Sequence, residues 1–494
     1  YGFLGAGKFA ATFLPDGYQL SSDPATNNTL CALILTALTT LYVVKGGMFS
    51  VVFTEVLQFF IMTVACVAVG VIAIQAVSPE MIDAATPAGW RDLTFGWRLG
   101  LDWSGKLDAA NAKIAADGWE LFSVFMLRVL DNGLLSSAAG PTPGYDMQRV
   151  LSTRTPREAA LMSGIVSLVL LVPRYMLIAG LTVLALAFFT DELTAMGGDV
   201  DFEQILPLTM RDYIPHGLLG LLMAALLAAF MSTYAATVNS APAYVVNDVY
   251  RRYLNPDASD RTLVRLSYAA SVAVVVAGIV VGLAFGKLGD IVNWVVAGLY
   301  GGYLAANVLK WHWWRFNSWG YVIGMACGVG PAMLLAVANT LLLPDARTLL
   351  GIEKNLALFP LLLAISTAGG VAGSLLTPPD DMAVLKEFYR KVRPWGFWGP
   401  VHRALLADYP DLQPNRDFGR DVVNVLVGIA WQTALTCLGI SLVLQDYQAV
   451  GWSAAVIIAT SVFLKFNWYD RLQDYPDHAK PEEDPSHGQT ADSD

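Results

Sequence analysis

The sequence predicts an all-α polytopic membrane protein. Three observations carry that prediction: apolar runs on the scale of a bilayer crossing, a shortage of charge, and a regular alternation of basic and acidic loops between the runs. Hydrophobic residues make up 55% of the 494-residue chain and charged residues 15%, against about 25% charged in an ordinary soluble domain. A helix needs roughly 20 apolar residues to cross about 30 Å of hydrocarbon. Strand-period alternation is absent, and an open sheet in lipid would leave its edge groups unpaired. The net charge of −10 belongs to loops and tail. With no basic cluster interleaved with aromatics, a nucleic-acid-binding surface is not expected.

Runs bounded by charged or Pro/Gly stretches give about eleven complete spans. They fall near Leu30–Val44, Met48–Val77, Trp119–Ala139, Ala159–Phe189, Gly217–Tyr244, Leu263–Phe285, Ile291–Leu309, Tyr321–Leu343, Leu356–Leu376, Val422–Leu444 and Val450–Phe466. Lys and Arg in the short loops set orientation. Arg149, Arg154 and Arg157 follow the third span, Arg251, Arg252 and Arg261 the fifth, Lys310 and Arg315 the seventh, and Lys386, Arg390, Lys391 and Arg393 the ninth. The intervening loops are acidic or short, as in Asp191, Glu192, Asp199, Asp201 and Glu203 against Arg211. The basic loops and the polar tail are therefore expected in the cytoplasm, and about Ser78–Gly118 outside. The expected organisation is a core over 1–376, a cytoplasmic connector over 377–421 with an amphipathic piece Met382–Val392, two C-terminal spans within 422–466, and a polar cytoplasmic tail over 467–494. The expected location is the plasma (inner) membrane.

Trp311-His-Trp-Trp-Arg-Phe-Asn317 reads as an interfacial anchor, since tryptophans beside a basic residue suit a membrane boundary. Cys31, Cys66, Cys327 and Cys437 each sit alone in an apolar run, the pattern of small buried hydrophobes rather than metal ligands. The five histidines show no metal-ligand spacing, so neither an enzyme nor a bound cofactor is expected. The chain opens on Tyr1 with no signal-peptide pattern, and Tyr1-Gly-Phe-Leu-Gly reads as the second half of a helix already under way.

The fifth span carries the most chemistry. In Ala228-Ala-Phe-Met-Ser-Thr-Tyr-Ala-Ala-Thr-Val-Asn-Ser240 the hydroxyls and amides lie deep in the run. Two readings stand: helix packing through small residues, or coordination of a hard cation such as Na⁺ by hydroxyls and nearby carbonyls. Ser232 and Thr233 cannot share one helical stripe, but both can flank a groove against a neighbouring helix. Glu55 stands out as a carboxylate about two turns inside a span, expensive unless paired or hydrated. Arg128 and Asp131 share a helix face, as a structural ion pair or as substrate contacts. Gly140-Pro-Thr-Pro-Gly144 interrupts a helix at membrane depth, which is tolerated where it lines protein or a cavity.

Ala-Ala-x-Met-Ser-Thr with the following Asn-Ser and Asp-x-Tyr resembles the ion-binding helix of the sodium:solute symporter family. Gly46-Gly-Met-Phe-Ser-Val-Val-Phe-Thr-Glu-Val-Leu-Gln58 is similar to a second family segment, and Gly140–Ala159, with Tyr145-Asp-Met-Gln-Arg149, to the end of the family's broken helix. The resemblance runs over nearly the whole chain with the three motifs in order. It implies a LeuT-type inverted-repeat bundle with extra C-terminal helices, and symport by alternating access with Na⁺ as the coupling ion and a small organic solute as cargo. It assigns the ion to Ala229, Ser232 and Thr233, the inner ion path to Glu55 (where the family carries Asp), and the substrate gate to the segment holding Thr142, Tyr145 and Gln148. Pro141 and Pro143, and Leu170-Leu-Val-Pro173 followed by Arg174, depart from the sugar-transporting members. The resemblance also implies a first core helix ahead of Tyr1, so the chain as given is not expected to transport alone. Proton coupling and a transporter-like solute sensor are the alternative functions.

Overall fold

The structure, a computed structural model, describes residues 2–92, 100–116, 149–190, 205–284, 301–341, 348–349 and 352–474. Helices dominate it: α1 (Gly2–Thr12), α2 (Pro24–Ala76), α3 (Pro79–Ala85), α4 (Asp108–Ala116), α5 (Pro156–Phe188), α6 (Ile205–Tyr213), α7 (His216–Pro242), α8 (Asp260–Ala284), α9 (Gly301–His312) and α10 (Ser318–Leu341). A two-residue hairpin, β1 (Thr348–Leu349) with β2 (Ile352–Glu353), precedes α11 (Lys354–Leu376). Then come α12 (Met382–Val392), α13 (Gly399–Leu405), α14 (Phe418–Val443) and α15 (Tyr447–Asn467). Among the described residues six helical segments are long and apolar enough to cross a membrane. Their large outward side chains, such as Leu38, Leu41, Phe53, Phe60 and Val64 on α2, are exposed, as lipid-facing residues are, because lipid tails are as apolar as leucine.

The first two predicted spans are not separate helices: both lie on α2, a single element of 53 residues. Lys45-Gly46-Gly47 was expected to be a loop, yet the helix runs through it. Two glycines cost only about 2 kcal/mol of helix propensity, and α7 packs along α2 on both sides of the pair. Val43 meets Ala235 and Val238, while Ala65 and Val69 share a cluster with Leu222 and Ala225. The contacts pair rising α2 numbers with falling α7 numbers, so the two run antiparallel. Beyond Pro242 the chain continues as a π-helix over Ala243–Leu254. The predicted third span lies outside the described residues, as does the start of the seventh.

Local chemistry sets the helix starts. Asp23 accepts from the Thr26 N–H before Pro24, and Thr155 from the Glu158 N–H before Pro156, each filling an orphan donor of the first turn. Asn317 caps α10 by accepting from the Gly320 N–H at 2.8 Å, and its amide donates to Thr377 Oγ1 (2.8 Å) and the Pro378 carbonyl (2.6 Å). Small residues let α10 and α11 touch backbone to backbone: a Cβ on Gly324 would lie 3.1 Å from Gly370 Cα, and Ser366 Oγ donates to the Gly324 carbonyl at 3.0 Å.

The Trp311–Asn317 stretch seats the connector. Phe397 N–H donates to the His312 carbonyl at 2.7 Å, and the Trp398 indole donates to the Trp311 carbonyl at 2.8 Å. The amphipathic helix occupies its predicted range, Met382–Val392, burying Leu385 and Tyr389 against Trp398, Val401 and Leu405. Helix α14 braces α5 and the far end of α2, and α15 packs on α14. Gln445, at φ 57°, donates to the carbonyls of Ile74 (3.0 Å) and Val77 (2.8 Å).

After α2, Lys106 Nζ donates to the carbonyls of Asp83 (3.3 Å), Ala84 (2.7 Å) and Thr86. It thereby closes the C-terminal end of α3, where a cation is favoured. Lys106→Met is expected to lower stability by about 1–2 kcal/mol, read as a fall in thermal midpoint with sodium response unchanged. A midpoint equal to wild type would show that water replaces the lysine at no cost.

Candidate functional site

A polar cluster lies where α7 crosses α2. Ser232 Oγ donates to Glu55 Oε1 at 2.7 Å. Arg149 Nη2, from the helical stretch just ahead of the turn into α5, donates to the same oxygen at 2.5 Å. The Glu55 and Arg149 side chains are 19% and 27% exposed. A carboxylate and a guanidinium in an apolar bundle are each costly unless paired. Here each answers the other, with the serine hydroxyl completing the cluster.

The polar line continues along both helices. Thr40 Oγ1 is 2.6 Å from Tyr234 OH and donates to the Thr36 carbonyl at 2.6 Å. One turn from Glu55 on α2, Gln58 Oε1 is buried with no hydrogen-bond donor among the described residues. Such an acceptor calls for a water or an ion. No group of three or more His, Cys, Asp or Glu side chains that could hold a metal occurs among the described residues. The donor set is instead one of hydroxyl, carboxylate and amide oxygens, which suits a hard monovalent cation.

Of the residues singled out by sequence, the structure brings Ser232 and Glu55 together across 177 positions of chain. Ala229 lies one turn before Ser232 on the same helix, partly buried. Thr233 faces the exposed side of α7, and its carbonyl accepts from Thr237 Oγ1 at 2.9 Å. Arg128, Asp131, Thr142, Tyr145 and Gln148 lie outside the described residues. Three participants were missed. Arg149 was counted only as a loop cation that sets orientation and as part of a motif. Thr40 and Tyr234 carried no signal, since a threonine in an apolar run ordinarily bonds to its own preceding turn.

Comparison with known proteins bears on the family and the fold. The sodium/mannose cotransporter SLC5A10 of Bos taurus is 29% identical over 387 residues, covering 71% of this chain and 62% of that protein. The sodium/glucose cotransporter of Vibrio parahaemolyticus is 28% identical over 206 residues, covering 39% of this chain and 37% of its own length. The matches thus span less than two thirds of these relatives. Among solved structures, a Na⁺-coupled sialic acid symporter in a substrate-bound outward-open state superposes with a TM-score of 0.54 at 17% identity, covering 76% of this chain and 72% of that one. That likeness speaks to the fold, which is the LeuT-type bundle of a multi-pass membrane protein. The model of the sodium:solute symporter family matches residues 11–328, well over half of the sequence, and the chain belongs to that family.

Proposed function

We propose that this protein carries out sodium-coupled symport of a small organic solute by alternating access. The observation that carries the proposal is the convergence of Ser232 Oγ on Glu55 Oε1 at 2.7 Å, one helical turn along α2 from Gln58, whose buried oxygen has no donor among the described residues. These are oxygen-bearing side chains gathered at a helix crossing in an apolar bundle, where a carboxylate is costly unless a cation answers it. Na⁺ binds through Ser232, Thr233 and the Ala229 carbonyl, with the Glu55 carboxylate next to Ser232 on its inner path. Ion and solute favour the same conformation, and a few kcal/mol of differential affinity suffices to couple them. The family resemblance supports Tyr145, with Thr142 and Gln148, as the solute gate, and Arg128 and Asp131 as solute contacts. We place the protein in the plasma (inner) membrane with the connector and C-terminus cytoplasmic, on the alternation of basic loops.

Proton coupling is the second reading, because Glu55 is a titratable group within the same cluster. One experiment separates the two. The thermal midpoint of the purified protein is followed in NaCl against choline chloride, for wild type and for Ser232→Ala/Thr233→Ala. Sodium-specific stabilisation that vanishes in the double variant is the expected result. Equal midpoints in the two salts for wild type, with a midpoint that moves with pH and is lost in Glu55→Gln, would replace sodium by protons.

A further inference from the structure

We propose that Arg149 is a tethered competitor of the coupling ion: its guanidinium and a sodium ion are alternative partners of the Glu55 carboxylate, so ion binding and release of Arg149 are one event. The inference rests on the sodium reading above and adds to it a residue that sets ion affinity. Glu55 Oε1 accepts from Ser232 Oγ at 2.7 Å and from Arg149 Nη2 at 2.5 Å. A single carboxylate oxygen between a hydroxyl and a fixed cation is the arrangement of a cation site in which the protein supplies the cation. Serine can serve both arrangements. Its hydroxyl donates to the carboxylate while Arg149 neutralises the charge, and it rotates to offer a lone pair when a metal ion takes that role.

The three groups come from three separate stretches of chain: Glu55 from α2, Ser232 from α7, and Arg149 from the helical residues just ahead of the turn into α5. The Arg149–Glu55 pair therefore ties α5's leading turn to α2 only while the ion is away. Two positive charges beside one carboxylate repel strongly where the surroundings are apolar. Arginine cannot escape the conflict by losing its proton, so it must move. Sodium binding at α2 and α7 is thereby transmitted to the start of α5. An ordinary structural ion pair behaves in the opposite way: its loss loosens the site and weakens ion binding.

The test uses the full chain, purified in detergent, with radiolabelled sodium binding at equilibrium and the sodium dependence of the thermal midpoint as readouts. Arg149→Gln is expected to lower the half-saturating sodium concentration about tenfold, within the 5–150-fold range typical of coupled sites. Arg149→Lys, which keeps a cation within reach, should stay within about threefold of wild type, since lysine retains the charge without the planar fork. In Arg149→Gly, millimolar methylguanidinium should raise the half-saturating sodium concentration back toward wild type, whereas choline should not. Sodium binding that is unchanged or weaker in Arg149→Gln, or indifference of Arg149→Gly to methylguanidinium, overturns the proposal and leaves the sodium site standing. Absence of sodium binding by wild type overturns the sodium reading itself, and this proposal with it.

Discussion

Replacement of Glu55 by alanine is expected to reduce sodium-dependent uptake by at least about 100-fold and to lower stability by about 3 kcal/mol, the range seen when one partner of a buried ion pair is removed. Glu55→Ala leaves the Arg149 guanidinium without its carboxylate and Ser232 Oγ without its acceptor. The pair is only 19% and 27% exposed, which is why the loss exceeds that of a surface ion pair. Glu55→Gln separates the two effects. Its amide oxygen still accepts from Ser232, so much of the stability should return, whereas the ion, attracted by charge, should not. Glu55→Asp, one methylene shorter, restores the family residue and should regain part of the uptake. Uptake by the full-length protein in proteoliposomes with a sodium gradient and thermal unfolding are the two measurements. Wild-type uptake by Glu55→Ala would remove Glu55 from the ion path.

The second large effect is expected at Gly320. A Cβ there would overlap Ser374 Oγ and lie 2.8 Å from the Gly370 carbonyl, so any side chain pries α10 from α11. Overpacking a well-filled contact costs about 1–3 kcal/mol. Gly320→Leu sits at the top of that range or beyond, because one of the obstructing groups is backbone and cannot rotate away. Little monodisperse protein should be recovered from detergent. Gly320→Ala combined with Ser374→Gly removes the side-chain half of the conflict and should recover part of the yield. Full recovery by Gly320→Leu alone would mean that the two helices can separate without loss.

Much of this was legible in the sequence. Composition and apolar runs announce the membrane helices because lipid permits few alternatives for the backbone. The connector helix keeps its predicted limits because Asp381 accepts from the Ala383 N–H at its start and Arg393, at φ 46°, turns the chain at its end. Ser232 and Glu55 were visible as polar groups at the wrong depth. What could not be read is which groups answer each other. The 94 positions between Glu55 and Arg149 hold no periodicity that would join them. Gly46 and Gly47 carry a loop signal locally, and only the packing of α7 along both halves of α2 overrides it. Trp311–Asn317 likewise has the composition of an interfacial anchor. Its backbone carbonyls, the groups that hold Phe397 and Trp398, are invisible to any reading of side chains.

The connector closes a ring. From α11 the chain passes through α12 to Gly396, whose φ of 104° lets it press against the backbone of His312. The Phe397 and Trp398 bonds to the end of α9 complete the circuit, while Arg315 Nη2 reaches the Thr377 carbonyl at 2.7 Å. A ring of this kind is a mechanical brace: α9, α10 and α11 cannot slide along one another without breaking a hydrogen bond at its clasp. The degrees of freedom left for a rocking motion lie elsewhere. In the proposed alternating-access cycle, the hinge is expected between this braced block and the α2–α7 pair, which carries the Glu55–Ser232 cluster.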